Sequence, residues 1–262
     1  MELLCRMCFQ VKKLKMSHII PSSYFRSLKN GNNSGQLVLV STDEKTPPKI
    51  SNSDPKERLL CHDCEQFLSG RYEQYGTRLL RDPKSTKKFD TYVLVKNFRY
   101  KTFYLYLLSI LWRASVSEIV YPEIKLGDEL NNLILYHIKN NTLRTGSGFR
   151  IDHFLKISVF RLTDLSGSIP DSTIKKIIMN IGTESGEQPE DGAIFYFMAD
   201  GFLIVFYINA EKSIQIQLTK KIFAQLKNTQ SIKIPIHDIK EFKQINDGFN
   251  SISKHASLEN KK

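Results

Sequence analysis

All four cysteines of this 262-residue chain lie in its first quarter, as Cys5-Arg-Met-Cys8 and Cys61-His-Asp-Cys64. Two C-x-x-C pairs give the spacing of an all-cysteine zinc site. Each pair forms a tight knuckle whose thiolates point at one ion, and two knuckles complete the tetrahedron. A redox dithiol would need one pair on a βαβ thioredoxin-like frame, which the pattern lacks. Met1–Met16 is too short and too rich in lysine for a secretion signal, so a cytoplasmic location is expected and disulfides are disfavoured. A zinc held by four thiolates is coordinatively closed: it stabilises a fold and does not activate water. Any chemistry must come from residues beside the ion.

Between the two pairs stands Ser17-His18-Ile19-Ile20-Pro21. A neutral imidazole can take a proton from an attacking water near pH 7. It can equally be a strand-end histidine satisfied by a backbone carbonyl, or a zinc ligand replacing one cysteine. After Cys64 the spacing of Phe67, Leu68, Tyr72 and Tyr75 predicts a helix. On it Glu65, Ser69 and Glu73 fall at i, i+4 and i+8 on one face, where carboxylates could meet a hard cation. The same acids suit a helix start, where the dipole favours negative charge. His62 reads as a surface residue, and His137, His153, His237 and His255 lack ligand spacing.

These residues resemble the HNH (His-Me finger) endonuclease family over about the first 80 positions. Its members often carry C-x-x-C, then His followed by Ile/Val-x-Pro, then a second C-x-x-C opening a helix. The resemblance implies a treble-clef or ββα-metal module, DNA as substrate and a catalytic Mg²⁺ or Mn²⁺ besides the structural zinc. It makes His18 the general base and Glu65, directly after Cys64, the helix ligand of the catalytic ion. Ser17 stands where the family places an Asp or His ligand. Asn52 is a loose match for the middle Asn. Bacterial nucleases of this kind often serve in defence against phage or in restriction. A chain that had kept the fold and lost the catalytic ion would instead be a zinc-stabilised nucleic-acid-binding or regulatory protein, and Ser17 favours that alternative.

The charge agrees with a polyanionic partner. Lys and Arg outnumber Asp and Glu by 38 to 27. The first 100 residues hold 18 basic and 10 acidic side chains, and the remainder holds 20 and 17. Lys12, Lys13, Lys15 and Arg26 flank His18, with Tyr24 and Phe25 interleaved, and are the expected phosphate contacts. Phe25 reads as packing, and Tyr24 either stacks on a base or packs. A second basic run, Arg78, Arg81, Lys84, Lys87 and Lys88, surrounds the helix stop Asp82-Pro83 and reads as a linker.

The elements that must hold these residues follow from periodicity. The fold class is α+β: a zinc module over 1–90, a helical connector over 91–145, a mostly antiparallel β domain over 146–246 and a polar tail over 247–262. A strand is expected at Gln36–Val40, and a polar loop over 41–55. Phe98–Ser117 is apolar on nearly all sides and predicts a buried helix, followed by an amphipathic one over Gly127–Asn140. Phe154–Leu162, Thr173–Ile181, Ala193–Met198 and Phe202–Ile208 read as strands, with Asp200-Gly201 as a hairpin turn. Ser213–Leu218 and Ser231–Ile236 are further strand candidates, and Lys220–Leu226 a short helix. Neither a phosphate-binding nor a dinucleotide-binding glycine loop is present. No stretch is long and unbroken enough to predict a membrane span. The C-terminal half is expected to take a partner protein or a ligand.

Overall fold

The computed structural model describes residues 2–29, 37–40, 49–51, 55–185, 192–208 and 225–242. In chain order the elements are β1 (Leu3–Leu4), β2 (Val11–Lys12), β3 (Leu14–His18), α1 (Ser22–Lys29), β4 (Leu37–Val40), β5 (Lys49–Ser51), β6 (Lys56–Cys61) and α2 (His62–Leu68). A π turn (Ser69–Glu73) joins α2 to α3 (Gln74–Leu79), followed by β7 (Thr86–Lys88), β8 (Tyr92–Val95), α4 (Tyr100–Ser115) and α5 (Asp128–Asn140). The remainder is α6 (Ile151–Phe154), β9 (Leu155–Thr163), α7 (Asp171–Ile174), β10 (Ile178–Ser185), β11 (Ala193–Ala199), β12 (Phe202–Ile208) and β13 (Ile232–Asp238). The α+β class is as expected. Asn52, the Ser213–Leu218 strand, most of the Lys220–Leu226 helix and the 247–262 tail lie outside the described residues.

One nine-stranded sheet, in the order β5-β4-β10-β11-β12-β9-β13-β8-β7, organises the chain. Its centre is formed by β11, β12 and β9, and Asp200-Gly201 makes the β11–β12 turn with φ of 54° and 73°. That positive pair is the geometry a two-residue hairpin needs and that Asp-Gly supplies. Side chains alternate as a pleat requires. Phe195, Phe197, Ile204 and Phe206 pack toward the large core containing α4, while Tyr196, Met198, Leu203 and Val205 pack into a smaller cluster with Ile174 and Ile239. Burial on both faces explains why these strands read as nearly continuous apolar runs.

The C-terminal strands pair mostly antiparallel, as expected, and the full sheet adds two features. The β4–β10 and β9–β13 pairings are parallel, so the sheet is mixed. Its outer strands β4, β5, β7 and β8 also come from the first hundred residues. The expected strand Thr173–Ile181 divides into α7 and β10. Pro170 and Asp171 start a helical turn there, a Pro entry and a first-turn acid overriding the β-branched character of Thr173 and Ile174.

Helix α4 is the centre of the large core. Residues 103–115 are all buried, including Trp112 and Arg113 at 1% exposure each. Helix α3 crosses it closely at Gly76. A Cβ built there would lie 2.2 Å from the Tyr106 ring, and Tyr106 cannot retreat because its hydroxyl meets the buried Tyr24 hydroxyl at 3.1 Å. Among the described residues, no helix is long and apolar enough to cross a membrane.

A second tie joins the β3–β6 hairpin, which carries Cys61, to the α4–α5 connection. The Glu57 carboxylate, on β6, accepts the Ser117 hydroxyl at 2.5 Å and the backbone N–H groups of Glu118, Ile119 and Val120 at 3.1–3.2 Å. Burial alone would raise this carboxyl, but the four donors outweigh it and hold Glu57 below its ordinary value.

Two predictions follow from the packing. Gly76→Ala should destabilise the protein by about 2 kcal/mol, the cost of overpacking against a rigid ring; an unchanged denaturant midpoint would refute the close crossing. Because the folded state depresses the Glu57 pKa, its contribution is present above the unfolded carboxyl range and is lost as pH falls through the folded value. Glu57→Gln should therefore cost about 2 kcal/mol at neutral pH, and the gap from wild type should close in the acid range. A gap independent of pH would exclude a charged Glu57 as its source.

Candidate metal centre and its flanks

The first knuckle is built by a miniature hairpin in which Leu3 pairs with Lys12 and Leu4 with Val11. The turn closes with Phe9 N–H on the Cys5 carbonyl at 2.9 Å and Cys5 N–H on the Gln10 carbonyl at 3.0 Å, and Phe9 takes a positive φ of 59°. Arg6 N–H donates to the Leu59 carbonyl at 3.0 Å, which clips this turn onto β6 beside the second knuckle. The four sulfurs then lie within 4.8 Å of one another, with Cys8 and Cys61 Sγ 3.9 Å apart. A tetrahedron with Zn–S of about 2.3 Å has sulfurs about 3.8 Å apart, so the donor set fits a zinc ion. Cys5, Cys61 and Cys64 are buried, and all four are free thiols.

Protonation of the set is uneven. Burial pushes Cys5 up, but N–H groups of Cys8, Cys61 and Met7 directed at its sulfur outweigh this and bring it down to about 7. Cys8 and Cys64 are raised, each chiefly by burial. Crowded thiols of this kind lose their protons to a metal that replaces them, which couples metal loading to folding.

Strand β3 pairs antiparallel with β6 and ends at His18, opposite Lys56. The register shifts between Lys15 and Met16, and the Leu60 N–H is taken up by Ser17 Oγ at 3.2 Å. Ser17 is 1% exposed and occupied in this way, so its hydroxyl serves the bulge and not the place of a metal ligand. His18 is half-buried. Its carbonyl accepts Arg113 Nη1 at 2.8 Å.

Glu65, Ser69 and Glu73 do not form the simple stripe that α-helical spacing predicts. In the π turn Gln74 N–H reaches the Ser69 carbonyl five residues back, which inserts an extra residue and turns the later side chains. Glu73 Oε1 lies 2.6 Å from Arg113 Nη2. The angle is poor for a hydrogen bond, since both atoms lack one, and the contact is an ion pair. Glu73 is thus neither a solvated charge nor a spare ligand. Glu65 differs: it is half-buried, and its Oε1 is buried without a hydrogen-bond partner.

The expected phosphate contacts fare unequally. Lys12 Nζ binds Asp63 Oδ2 at 3.1 Å. Lys13 and Lys15 are exposed, and the side chain of Arg26 lies outside the described residues. Phe25 is fully buried as expected. Tyr24 packs as well, with the Arg81 guanidinium 4.2 Å over its ring. Arg81 also donates to Asp200 Oδ2 at 3.1 Å and to the Ser23 carbonyl at 3.3 Å, so it joins α3 to the sheet hairpin and to α1.

A basic concavity lies elsewhere. A groove of about 1140 Å³ runs between the π turn and α3 on one side and the β8–α4 turn on the other, lined by Arg71, Tyr75, Arg78, Lys96 and Arg99. It shares Gln74, Arg78 and Asp82 with a second pocket of about 650 Å³. That pocket reaches Pro21 and Ser22, at the end of the segment that begins with His18. Local pattern places Arg78 in a basic run around a helix stop and gives no signal for Arg71, Lys96 and Arg99. These residues are far apart in the chain, and only their shared proximity to Tyr75 brings them together.

No protein family, curated protein or solved structure matches the chain.

Purified without chelator, the protein should carry one zinc per chain by elemental analysis. Structural zinc sites contribute on the order of 10 kcal/mol, so stripping the metal or replacing Cys64 with serine should abolish cooperative unfolding of the N-terminal region. An unchanged thermal midpoint after complete removal would eliminate the structural role.

Proposed function

We propose that the chain is an HNH-like, divalent-metal-dependent endonuclease acting on DNA phosphodiesters, with His18 as general base and Glu65 as the carboxylate for the catalytic cation. The observation that carries this reading is a buried carboxylate oxygen without a hydrogen-bond partner, Glu65 Oε1, on the helix that opens at the second cysteine pair, in a module whose β3 strand ends at a histidine. A buried anionic atom is costly when unpaired, and a cation is its natural complement.

Mg²⁺ or Mn²⁺ is commonly held by only one or two carboxylates, with water and substrate phosphate completing the shell, so Glu65 alone suits such an ion. Among the described residues, the cysteines form the only cluster with three or more metal donors. When bound, the cation would stabilise charge developing on the scissile phosphate. The chain's own contribution is the imidazole of His18, which accepts the proton of the attacking water. Arg113 fixes the backbone that presents this ring by holding the His18 carbonyl. The hydrophobic floor beneath it, Ile19 and Ile20 at 0% and 1% exposure, keeps the strand end from moving.

A second reading rests on a specific observation. Ser17, at the position next to the base, is committed to Leu60 N–H. A zinc-stabilised nucleic-acid-binding protein without cleavage accounts for that occupied hydroxyl as well.

Incubation of zinc-loaded protein with supercoiled plasmid and Mg²⁺ or Mn²⁺ separates the two. The nuclease reading requires nicking by wild type, with a loss of at least about 100-fold in His18→Ala, the usual contribution of a general base, and in Glu65→Gln. A plasmid retarded on the gel but left intact by all three proteins would support the binding reading.

A further inference from the structure

We propose that the groove between α3 and the β8–α4 turn is a track for single-stranded DNA, in which Arg71, Arg78 and Lys96 hold phosphates and Arg99, stacked on Tyr75, offers its outer face to a base. The inference deepens the nuclease reading by naming the form of the substrate and its path.

Charge is the first support. The groove presents four cations against the single carboxylate of Asp82. That carboxylate is engaged by the Ser85 hydroxyl at 2.7 Å and Lys84 N–H at 2.9 Å. Among the described residues, none of Arg71, Arg78, Lys96 and Arg99 forms an ion pair, whereas Arg6, Lys12, Arg81, Arg113, Arg150 and Arg161 all do. Unpaired cations lining a concavity focus positive potential and release counterions when a polyanion enters.

The second support is the aromatic platform. The Arg99 guanidinium lies 4.0 Å over the Tyr75 ring. Tyr75 is itself fixed: its hydroxyl accepts Arg99 N–H at 2.6 Å and donates to the Asn97 carbonyl at 3.3 Å. The turn that carries these residues is anchored by Phe98 N–H on the Gln230 carbonyl and Lys96 N–H on the Ser85 carbonyl. One face of the guanidinium therefore rests on a preorganised ring, while the side chain as a whole is exposed. An exposed guanidinium plane stacks on unpaired bases.

Strandedness follows from what such a platform can reach. Bases in a duplex already stack on one another, and presenting one to Arg99 would cost the energy of extruding it. A single strand lays its phosphates along the cations and its bases on the plane at no such cost. The groove meets the pocket that ends at Pro21 and Ser22, so a strand following it would lead toward His18.

The test is fluorescence anisotropy with a labelled oligothymidylate of about 20 nucleotides, longer than common single-strand sites, and with a duplex of equal length. No divalent cation is added, so binding is read without cleavage. Wild type should favour the single strand. Arg99→Ala should weaken binding about tenfold, as loss of a stacking partner does. Arg99→Lys should recover only part of it, since it keeps the charge and removes the plane. Arg71→Ala/Arg78→Ala should reduce the slope of log affinity against log salt by about 1.4, the release expected for two lost phosphates. Arg71, Arg78 and Arg99 are all exposed, and an unaltered thermal midpoint verifies folding. Equal or tighter binding of the duplex, groove variants that bind like wild type, or no binding would each overturn the inference. Plasmid nicking alongside any of these would leave the nuclease reading standing.

Discussion

A guanidinium buried at the centre of the molecule constrains much of what surrounds it. Arg113 sits on the most apolar helix of the chain at 1% exposure, and a charge removed from water costs several kcal/mol unless it is paired and hydrogen-bonded. Its nitrogens are spent on three different elements: the Ser109 carbonyl one turn back, the His18 carbonyl at the end of β3, and the Glu73 carboxylate at the π turn. The desolvation penalty rises whenever any of these partners moves. Arg113 therefore locks the candidate base to the helix that follows the cysteines, and locks both to the core. The extra residue of the π turn sits at the junction where Glu73 is brought to this guanidinium.

Two further ties repeat this logic. The Glu57 carboxylate fixes the β3–β6 hairpin to the loop leaving α4. Arg81 fixes the end of α3 to the β11–β12 turn through Asp200, and the neighbouring Arg161 braces the same turn from within the sheet by donating to the Asp200 carbonyl at 3.2 Å. The cysteine module and the sheet are thus joined by directional polar contacts at half-buried or buried positions, where such contacts are stronger than on the open surface. Strands β4, β5, β7 and β8 reinforce the join by contributing both edges of the sheet.

The parts legible in the sequence were those with local causes. Cysteine spacing placed the metal cluster, Asp200-Gly201 placed the hairpin, and all-round apolarity placed α4 as a buried helix. The rest depended on long-range pairing. Nothing local tells Leu37–Val40 that it will run parallel to β10 instead of staying with the knuckles between which it lies. Arg113 could not be recognised as a hub, because an arginine among Leu, Trp and Ala reads as an interruption until its partners at 18 and 73 are known. Helical counting also placed Glu65 and Glu73 in equivalent roles. The π turn breaks that equivalence, since one becomes an ion-pair partner and the other keeps a buried oxygen without a bond.

That asymmetry bears directly on which side chains remain available for chemistry. Ser17 and Glu73 flank His18 in sequence or in space, and both are consumed by contacts that hold the fold. Their substitution would report on stability before it reported on any reaction. Lys12, too, is drawn off to Asp63. The division separates the groups that hold the fold from the rest: the cysteines, Glu57, Glu73 and Arg113 fix positions, while Glu65 keeps a buried oxygen without a hydrogen bond and the groove cations form no ion pair among the described residues. Glu65 keeps a buried carboxylate oxygen that neither a hydrogen bond nor an ion pair of the described residues takes up, and it is therefore the residue at which a catalytic and a purely structural account of this module diverge most sharply.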